Sequence, residues 1–552
     1  MMLRRFLFWL ICLAAATGLG WLLLRLLEPG GWTAAKIVMG IAFLGTLPWT
    51  CICAGNGWIG FLLLVFSHDA VRATFPISDR PATPVPRTAI ALTVRREDLT
   101  DTLPAMRRLL DDLDAAGHGN AFALFVLSDT PAGAEADMEA AMVAGFQVSD
   151  PGRIHYRRRR ENTGFKAGNI MEFLDNGAGG FELMLTLDAD SIVSAPAVLR
   201  MARAMVLEPR LGIVQHLTVG MPSAQAFTRL FQFGMRAGMR VWATGQAWWQ
   251  GPAGPYWGHN AMVRIAPFRE HCRLAPLSDG RAILSHDQVE AARLAAAGWH
   301  VRVLAQEAGS QEANPPGLPE FLARDARWME GNLQYVHLLG QPGFAPMGRW
   351  QMVQAILLFA GAPLYLVFAL AAATAAASDA VSAFPAGIAA GLTFAWAGIL
   401  YGPKLLGYVE VAMSSTLRRR YGGLGRFLAG CLTEFAFTLL LDAVMTVSKT
   451  LAMLRLALAG RHGPATQNWA LQNRRGRSVG WGEATRLFWP HALLGMALLA
   501  GFGMAGWKAA LWSVPFVGGL VVAIPLCVWS ADPRIGAWLR ARGIAAVPEE
   551  IG

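Results

Sequence analysis

The chain contains 552 residues, of which 54% are apolar and only 16% are charged. A soluble domain carries about 25% charged residues, so this composition argues against a wholly soluble protein. Intrinsic disorder is also excluded, because disorder requires low hydrophobicity. The formal net charge of +10 is compatible with a polyanionic partner, but basic residues beside membrane spans give the same total. The six cysteines form no CxxC pair, which argues against a disulfide framework or a zinc site.

The N-terminal region contains two apolar runs that predict membrane segments. Residues 6–27 form a run that is broken only by Arg25, and as a helix of about 33 Å it would cross a bilayer core. A cleaved signal peptide is the alternative, but the run is longer than a signal core and lacks a small-x-small cleavage site. A second run covers residues 37–66. Residues 1–71 are therefore predicted to form N-terminal transmembrane segments.

Charged residues are interspersed between residues 72 and 348, where no apolar run is long enough to span a membrane. Short strand-like runs occur at residues 88–94, 121–127, 183–187 and 211–214. Helical patterns lie between them, for example at residues 103–114 and 197–207. Strands that alternate with helices predict an α/β domain with a largely parallel sheet.

Apolar runs return between residues 349 and 530 and predict transmembrane and interface helices. They cover residues 350–377, 384–406, 427–458, 492–506 and 511–528. Basic loops remain on the cytoplasmic side, so a simple crossing by 427–458 would place the arginines of loop 461–486 on the wrong side. The run 427–458 is therefore expected to be an interface helix, or a helical hairpin broken near Asp442. The domain 72–348 and the tail 531–552 are expected in the cytoplasm.

The string LMLTLDADS at residues 183–191 is an apolar strand that ends in two carboxylates. Open α/β sheets bind ligands beyond the carboxyl ends of their strands, so Asp188 and Asp190 are expected at a ligand-binding edge. Such a pair can hold Mg²⁺ or Mn²⁺ against a substrate diphosphate. The alternative is a helix cap before residues 197–207, because Asp and Ser favour N-caps.

Three other polar groups each have a functional and a structural interpretation. Asp129 ends a second strand, where it could meet a base or a ribose, or could only begin a turn. Lys166 follows the basic cluster 157–160, which suits a nucleotide diphosphate, anionic lipid or a solvated surface. Asp287 precedes an amphipathic helix, as its N-cap or as a general base for a hydroxyl acceptor.

A helical motif near residue 325 combines two arginines with an aromatic side chain. Arg324 and Arg327 are three residues apart and share one helical face, and Trp328 stands beside them. Arginine pairs of this kind clamp phosphates, and a tryptophan ring offers a flat surface to a sugar. An exposed helix with an anchoring tryptophan is the structural alternative.

In this order, the motifs resemble those of the membrane-integrated processive glycosyltransferases that include cellulose synthase. The match is closer to the glucans biosynthesis glucosyltransferase H family, which makes osmoregulated periplasmic glucans in Gram-negative bacteria. The strings that carry the resemblance include YRRRR (156–160), LDADS (187–191), YWGHNA (256–261), ILSHD (283–287), RDARW (324–328), WGEA (481–484) and VPEE (547–550). Two features depart from the wider pattern. Arg95-Arg96-Glu97-Asp98 stands where relatives place Asn-Glu, and Arg324 stands where cellulose synthase has Gln.

This resemblance implies a GT-A type α/β domain with a mixed, mostly parallel sheet, inserted into an α-helical transmembrane bundle of the bacterial inner membrane. It implies an inverting, UDP-glucose-dependent transferase that extends a mainly β-1,2-linked glucan and delivers it to the periplasm. The implied partners are UDP-glucose, the growing glucan chain, membrane lipids and a periplasmic glucan-processing protein. No nucleic acid partner is expected, because the arginines cluster at loop edges and spans. The alternative activity is a lipid-linked sugar transferase that acts on polyprenyl phosphate.

The resemblance also implies a role for each candidate residue. Asp287 is the expected catalytic base, and Asp188 and Asp190 are the expected ligands of Mg²⁺ or Mn²⁺. Six side chains are expected to contact the UDP donor: Glu97, Asp129, Lys166, Asp188, Arg324 and Arg327. Acceptor contacts are expected from Trp328, His259 and Asn260. Loop 461–486, with Trp481, Gly482 and Glu483, is expected to cover the donor site as a gating loop, or alternatively to hold lipid headgroups.

Overall fold

Two long apolar helices begin the chain and contain the predicted N-terminal membrane segments. The computed structural model describes residues 1–76, 84–378, 385–459 and 476–551. The first helices are α1 (Met2–Leu27), α2 (Ala34–Phe66) and the short α3 (Ala70–Thr74). Pro48 lies inside α2, and the helix continues through it. Proline is tolerated in packed apolar helices because neighbouring groups can satisfy the backbone carbonyl that it leaves without a donor.

An eight-stranded mixed sheet forms the centre of the α/β part. Its strands are β1 (Thr88–Val94), β2 (Phe122–Ser128), β3 (Ile154–Arg158), β4 (Leu183–Asp188), β5 (Ile192–Val193), β6 (Leu211–Gly220), β7 (Ala261–Arg264) and β8 (His300–Glu312). Their spatial order is β3-β2-β1-β4-β7-β6-β8-β5. Strand β1 is parallel to β2 and β4, β2 to β3, and β6 to β8, whereas β7 and β5 are antiparallel to their neighbours. The predicted mixed, mostly parallel sheet is confirmed.

Helices cover both faces of this sheet. They are α4 (Thr102–Ala115), α5 (Ala134–Gln147), α6 (Phe165–Asn176), α7 (Ala195–Leu207), α8 (Ala226–Gln250), α9 (Ile265–His271), α10 (Asp287–Ala296) and α11 (Leu318–Leu333). Side chains alternate along a strand, so Ile90 and Leu185 belong to the core formed with α4 and α7. Their neighbours Ala91 and Met184 belong to the core formed with α6 and α10. The central strands are therefore buried on both sides.

Apolar helices dominate the C-terminal part. They are α12 (Pro346–Ser378), α13 (Ala386–Leu400), α14 (Gly402–Met413), α15 (Ser415–Arg420), α16 (Leu424–Ala459), α17 (Trp481–Met504), α18 (Trp507–Val521), α19 (Ala523–Ser530) and α20 (Pro533–Ala541). Within the described ranges, α1, α2, α12, α16 and α17 are long and apolar enough to cross a membrane. The bent pairs α13–α14 (72°) and α18–α19 (59°) bring the number of candidate spans to at most seven.

Helix α16 corrects one prediction, because it continues without interruption through Asp442. The predicted hairpin with a break at that residue is wrong. A carboxylate is tolerated at this point because Tyr401 Oη donates a hydrogen bond of 2.8 Å to Asp442 Oδ2.

The other alternative, an interface helix, stays a prediction, because α16 is long and apolar enough to cross a membrane and also contacts the α/β part. Lys449 Nζ lies 3.7 Å from Asp325 Oδ2 on α11. Near the other end of the helix, the Glu434 side chain packs against Gly234 of α8. Residues 460–475, which contain most of the predicted basic loop, lie outside the described residues.

Helix α8 fixes the α/β part against the N-terminal helices. A Cβ atom at Gly60 of α2 would overlap the Val241 carbonyl oxygen, and one at Gly245 would overlap the Asn56 carbonyl oxygen. The two backbones therefore touch, which glycine alone permits. Trp249 is fully buried at the end of α8 and donates a hydrogen bond of 2.8 Å to Asn56 Oδ1.

Candidate active site

One cavity of about 1890 Å³ opens at the carboxyl edge of β4 and extends between the apolar helices. Its polar wall contains eight of the residues that the sequence predicted: Lys166, Asp188, Asp190, His259, Asp287, Arg324, Arg327 and Trp328. Side chains of α2, α8, α12, α13, α14, α16 and α18 line most of the rest. The fold thus brings residues separated by more than 160 positions in the sequence to a single continuous space.

The two aspartates of LDADS stand where the sheet ends. Asp188 is the last residue of β4, and a tight turn follows in which Ser191 N donates to Asp188 O at 2.9 Å. Helix α7 begins later, with Ser194 at its N-cap position, so neither Asp188 nor Asp190 caps it. The predicted helix-cap alternative is therefore wrong, and both carboxylates line the cavity.

Lys166 places a positive charge beside the Asp188 carboxylate. It lies in the first turn of α6, and its Nζ contacts Asp188 Oδ1 and donates a hydrogen bond of 2.9 Å to Gly258 O. Thr93 Oγ1 approaches the same Asp188 oxygen at 3.3 Å. Lys166 therefore connects the end of β4 to the loop of Gly258 and places a cation beside the aspartate.

Glu312, which the sequence did not reveal, is a further carboxylate of the cavity wall, in addition to Asp188, Asp190 and Asp287. It ends β8, and its Oε2 lies 3.3 Å from His259 Nε2. Burial raises the pKa of Glu312, His259 lowers it, and the charges of Asp190 and Asp188 raise it further. No motif or spacing marks Glu312, because only the pairing of β8 with β6 carries it to this edge.

Asp287 is the first residue of α10, and His286 occupies the N-cap position without a side-chain capping bond. The N-cap interpretation of Asp287 is therefore wrong. The carboxylate is half-buried in the cavity wall beside Gly258, whose positive φ of 84° is a conformation that favours glycine.

Arg324 holds a positive charge inside the wall. It is only 6% exposed, and its guanidinium carbon lies 4.5 Å from the centre of the Trp328 ring. Burial lowers the pKa of Arg324 to about 10, although Glu312 and Asp325 act in the opposite direction. Its Nε is buried without a hydrogen-bond partner among the described residues. A buried donor of this kind is well placed to receive an anionic ligand.

Glu97 and Asp129 do not belong to the described lining of this cavity, but they lie beside it on the same edge of the sheet. Asp129 N donates to Val94 O at 2.8 Å, which joins the ends of β2 and β1. The Asp129 carboxylate is buried and bound through both oxygens by Arg159 of the basic cluster. Glu97 turns back to accept a hydrogen bond from the backbone of Arg95.

The remaining acceptor candidate, Asn260, is a buried support for the cavity wall. Its Nδ2 donates to Ser310 Oγ at 2.9 Å and to Gln311 O at 3.2 Å. These bonds hold the loop that carries His259 against β8. Asn260 therefore positions a neighbour of the cavity.

The gating-loop residues form ordered helix and not an open loop over the site. Trp481, Gly482 and Glu483 begin α17, and none of them lines the described cavity. Arg477 links Glu483 to Glu320 of α11, with contacts of 2.8 and 2.7 Å. This end of the predicted loop is therefore tied to the helix that carries Arg324.

The chain is similar to known glycosyltransferases. A model of glycosyl transferase family group 2 matches residues 183–408. The glucans biosynthesis glucosyltransferase H of Caulobacter vibrioides (strain NA1000 / CB15N) is 33% identical over 536 residues, which cover 92% of this chain and 78% of the relative. That of Xanthomonas campestris pv. campestris (strain B100) is 30% identical over 562 residues, which cover 96% and 85%. A mannosyltransferase from Pyrobaculum calidifontis, in complex with GDP-Man and Mn²⁺, gives a TM-score of 0.45 at 15% identity, covering 68% of this chain and 98% of that one.

Proposed function

Because this chain belongs to the glucans biosynthesis glucosyltransferase H family of glycosyltransferases, we propose that it polymerises glucose from UDP-glucose at the bacterial inner membrane. The product would be a mainly β-1,2-linked glucan that passes towards the periplasm, where a glucan-processing protein would receive it. One observation carries the proposal: a continuous cavity joins the carboxylate edge of the sheet to the apolar helices. A processive enzyme needs such a path, because its product stays bound while it grows.

The donor diphosphate would bind at Asp188 and Asp190 together with Mg²⁺ or Mn²⁺. The donor set fits these ions, because carboxylate oxygens are hard ligands and Mg²⁺ commonly uses one or two of them together with substrate phosphates and water. The described residues contain no group of three or more acidic, histidine or cysteine ligands, so substrate oxygens and water would complete the shell. A bound divalent cation would neutralise the charge that develops on the UDP leaving group. Lys166 and Arg324 would add positive charge around the same diphosphate.

The uridine would lie beside Asp188 and Asp190, against the ends of β1 and β2. Glu97 and Asp129 are proposed to contact the base or ribose there. Arg159 supports this role of Asp129, because it fixes the orientation of a buried carboxylate whose backbone is already tied to β1. Ligands of parallel sheets bind at this edge in general.

Asp287 would take the proton from the acceptor hydroxyl while that oxygen attacks C1 of glucose. One base and one displacement give inversion at the anomeric carbon. Arg327 and the Arg324–Trp328 pair would hold the diphosphate and the acceptor sugar in line, so that position supplies much of the rate. His259, tied to Glu312, would contact the acceptor from the opposite wall.

The growing chain would leave along α16. Four polar side chains of that helix line the cavity at helical spacing: Glu434, Thr438, Asp442 and Lys449. Lys404 of α14 reaches Glu434 and Thr438, each at 2.7 Å. These carboxylate, hydroxyl and ammonium groups can also form hydrogen bonds with sugar hydroxyls, which supports a polar path for the glucan.

The membrane orientation follows from the arginines. Arg418, Arg419 and Arg420 form the last turn of α15, next to the start of α16. Basic segments stay on the cytoplasmic side, so we place the α/β domain there as well.

The test uses purified protein in lipid vesicles with UDP-glucose and Mg²⁺, followed by linkage analysis and sizing of the product. A β-1,2-linked polymer is the expected result. A polyprenyl phosphate that carries a single glucose would establish the lipid-linked transferase instead. Binding of UDP-glucose without any transfer would contradict both.

A further inference from the structure

A buried histidine–glutamate pair adjoins Asp287 and has no part in the reaction described above. His286 Nδ1 lies 2.9 Å from Glu290 Oε2, one helical turn further along α10. The Glu290 side chain is only 2% exposed and that of His286 13%. Burial of a titratable group is costly unless the group has a hydrogen-bonding partner. Here His286 and Glu290 are partners of each other.

His286 faces the same patch of wall as the proposed base. Both His286 and Asp287 line the cavity. A Cβ atom at Gly258 would lie 3.8 Å from Asp287 Oδ2 and 3.8 Å from His286 Cε1. The imidazole and the Asp287 carboxylate therefore border the same small space beside Gly258.

The surroundings make His286 a proton acceptor. Burial lowers the pKa of His286, but the Glu290 carboxylate outweighs it and holds that pKa above its ordinary value, with Asp287 acting in the same direction and Lys166 against it. A carboxylate at Nδ1 fixes the tautomer in which Nδ1 carries the hydrogen and Nε2 keeps a free lone pair.

The other titratable groups near the pair cannot replace it. Burial strongly raises the pKa of Tyr256, Tyr335 and Cys272, so all three stay protonated. Burial also raises the pKa of Glu290, and the neighbouring His286 offsets only part of this increase.

We propose that His286, oriented by Glu290, removes the proton from Asp287 after each transfer; this inference rests on the proposed function. In the transfer, the acceptor O–H bond breaks, the new C1–O bond forms, and UDP departs with the electrons of the old C1–O bond. The proton moves to Asp287, then to His286 Nε2, and finally to water or buffer. Imidazole is a stronger base than a carboxylate, so the second move is downhill.

A processive enzyme needs this second step more than a distributive one does. The glucan would occupy the cavity in front of Asp287 throughout synthesis, so Asp287 must lose its proton while the chain stays bound. A resident imidazole restores the base without release of the chain. His286 is thus a positioning and relay residue for Asp287, and not a contact of the sugar.

The test compares His286→Gln and Glu290→Gln with His300→Gln. The control is matched, because His300 Nδ1 contacts Glu208 Oε1 in a second His–Glu pair that does not line the described cavity. Steady-state kcat and KM for the donor are measured between about pH 6 and pH 9, with and without added imidazole.

His286→Gln is expected to lower kcat about tenfold or more, with KM unchanged and with partial rescue by imidazole. The wild-type rate should fall as the pH drops through the raised pKa of His286, since imidazolium accepts no proton. This acid limb should vanish in His286→Gln and move to lower pH in Glu290→Gln, which lacks the charge that raises the pKa. His300→Gln should match the wild type.

An unchanged acid limb in His286→Gln would overturn the proposal, whether its rate is normal or low. A low rate that imidazole does not restore would overturn it too, because that pattern indicates only a structural role. The wild-type arm separately tests the donor. If the wild type uses a nucleotide sugar other than UDP-glucose, the proposed function fails in that respect, and the same variants are compared on that donor.

Discussion

Replacement of Asp287 by asparagine separates catalysis from folding. The carboxylate is half-buried at the first residue of α10 and makes no hydrogen bond to any described side chain or backbone group. Asparagine has nearly the same size, so the change removes one charge and little packing. The charge stands near the N-terminus of the helix, where a carboxylate contributes about 0.3–1 kcal/mol of stability.

The two expected effects differ in magnitude. A positioned general base contributes about 10²- to 10⁴-fold to a rate. Each tenfold change in rate corresponds to about 1.4 kcal/mol, so this contribution equals about 2.7–5.4 kcal/mol of activation free energy. Asp287→Asn should therefore lower kcat at least about a hundredfold, while its free energy of unfolding changes by about 1 kcal/mol or less.

The assay is radiolabelled glucose incorporation in vesicles, together with UDP affinity by calorimetry and a thermal melt. Asp175→Asn is the control, because Asp175 is a carboxylate of the same domain that pairs with Arg273 at the surface. UDP affinity should stay within about twofold of the wild type in both variants. A kcat within tenfold of the wild type would exclude Asp287 as the base. A parallel loss of UDP affinity would make it a donor-binding residue instead.

Three further outcomes are expected. Excess EDTA should abolish turnover and Mg²⁺ or Mn²⁺ should restore it, and Asp190→Asn should raise the metal concentration required; full activity in EDTA would contradict the metal assignment. Gly60→Val should drive α2 away from the α8 backbone and cost about 1–3 kcal/mol, seen as a lower Tm, whereas Gly20→Val has open space and should not. Glu550→Gln should leave the buried Arg229 without its carboxylate and destabilise the protein by about 3–5 kcal/mol, and an unchanged Tm would show that the pair is dispensable.

Local sequence patterns located much of the fold. The run 88–94 matches β1, and the predicted helices at 103–114 and 197–207 fall within α4 and α7. Strand β1 is a short apolar run that is buried on both faces, and α4 and α7 bury one face at the helical period; both patterns are properties of the local sequence. Strand β3 was missed because its second half is the basic cluster, where Arg157 and Arg158 conceal the apolar pattern.

The candidate site was predictable where chemistry follows a strand or a helix. Asp188 directly ends an apolar strand, and Arg324 and Arg327 share a helical face. Glu290 and Glu312 carry no such signal, because one lies within an amphipathic helix and the other ends a strand whose pairing with β6 is irregular. Their importance comes from burial and from neighbours distant in sequence.

The sequence by itself determined that apolar helices long enough to cross a membrane flank one inserted α/β domain, since both properties follow from composition and periodicity. It also determined the order of the chemical motifs. Only the tertiary structure decided which motifs share a cavity, that Asp129 is held by Arg159, and that α16 runs unbroken beside the α/β domain. Such facts depend on contacts between residues far apart in the chain, and a local pattern contains no record of them.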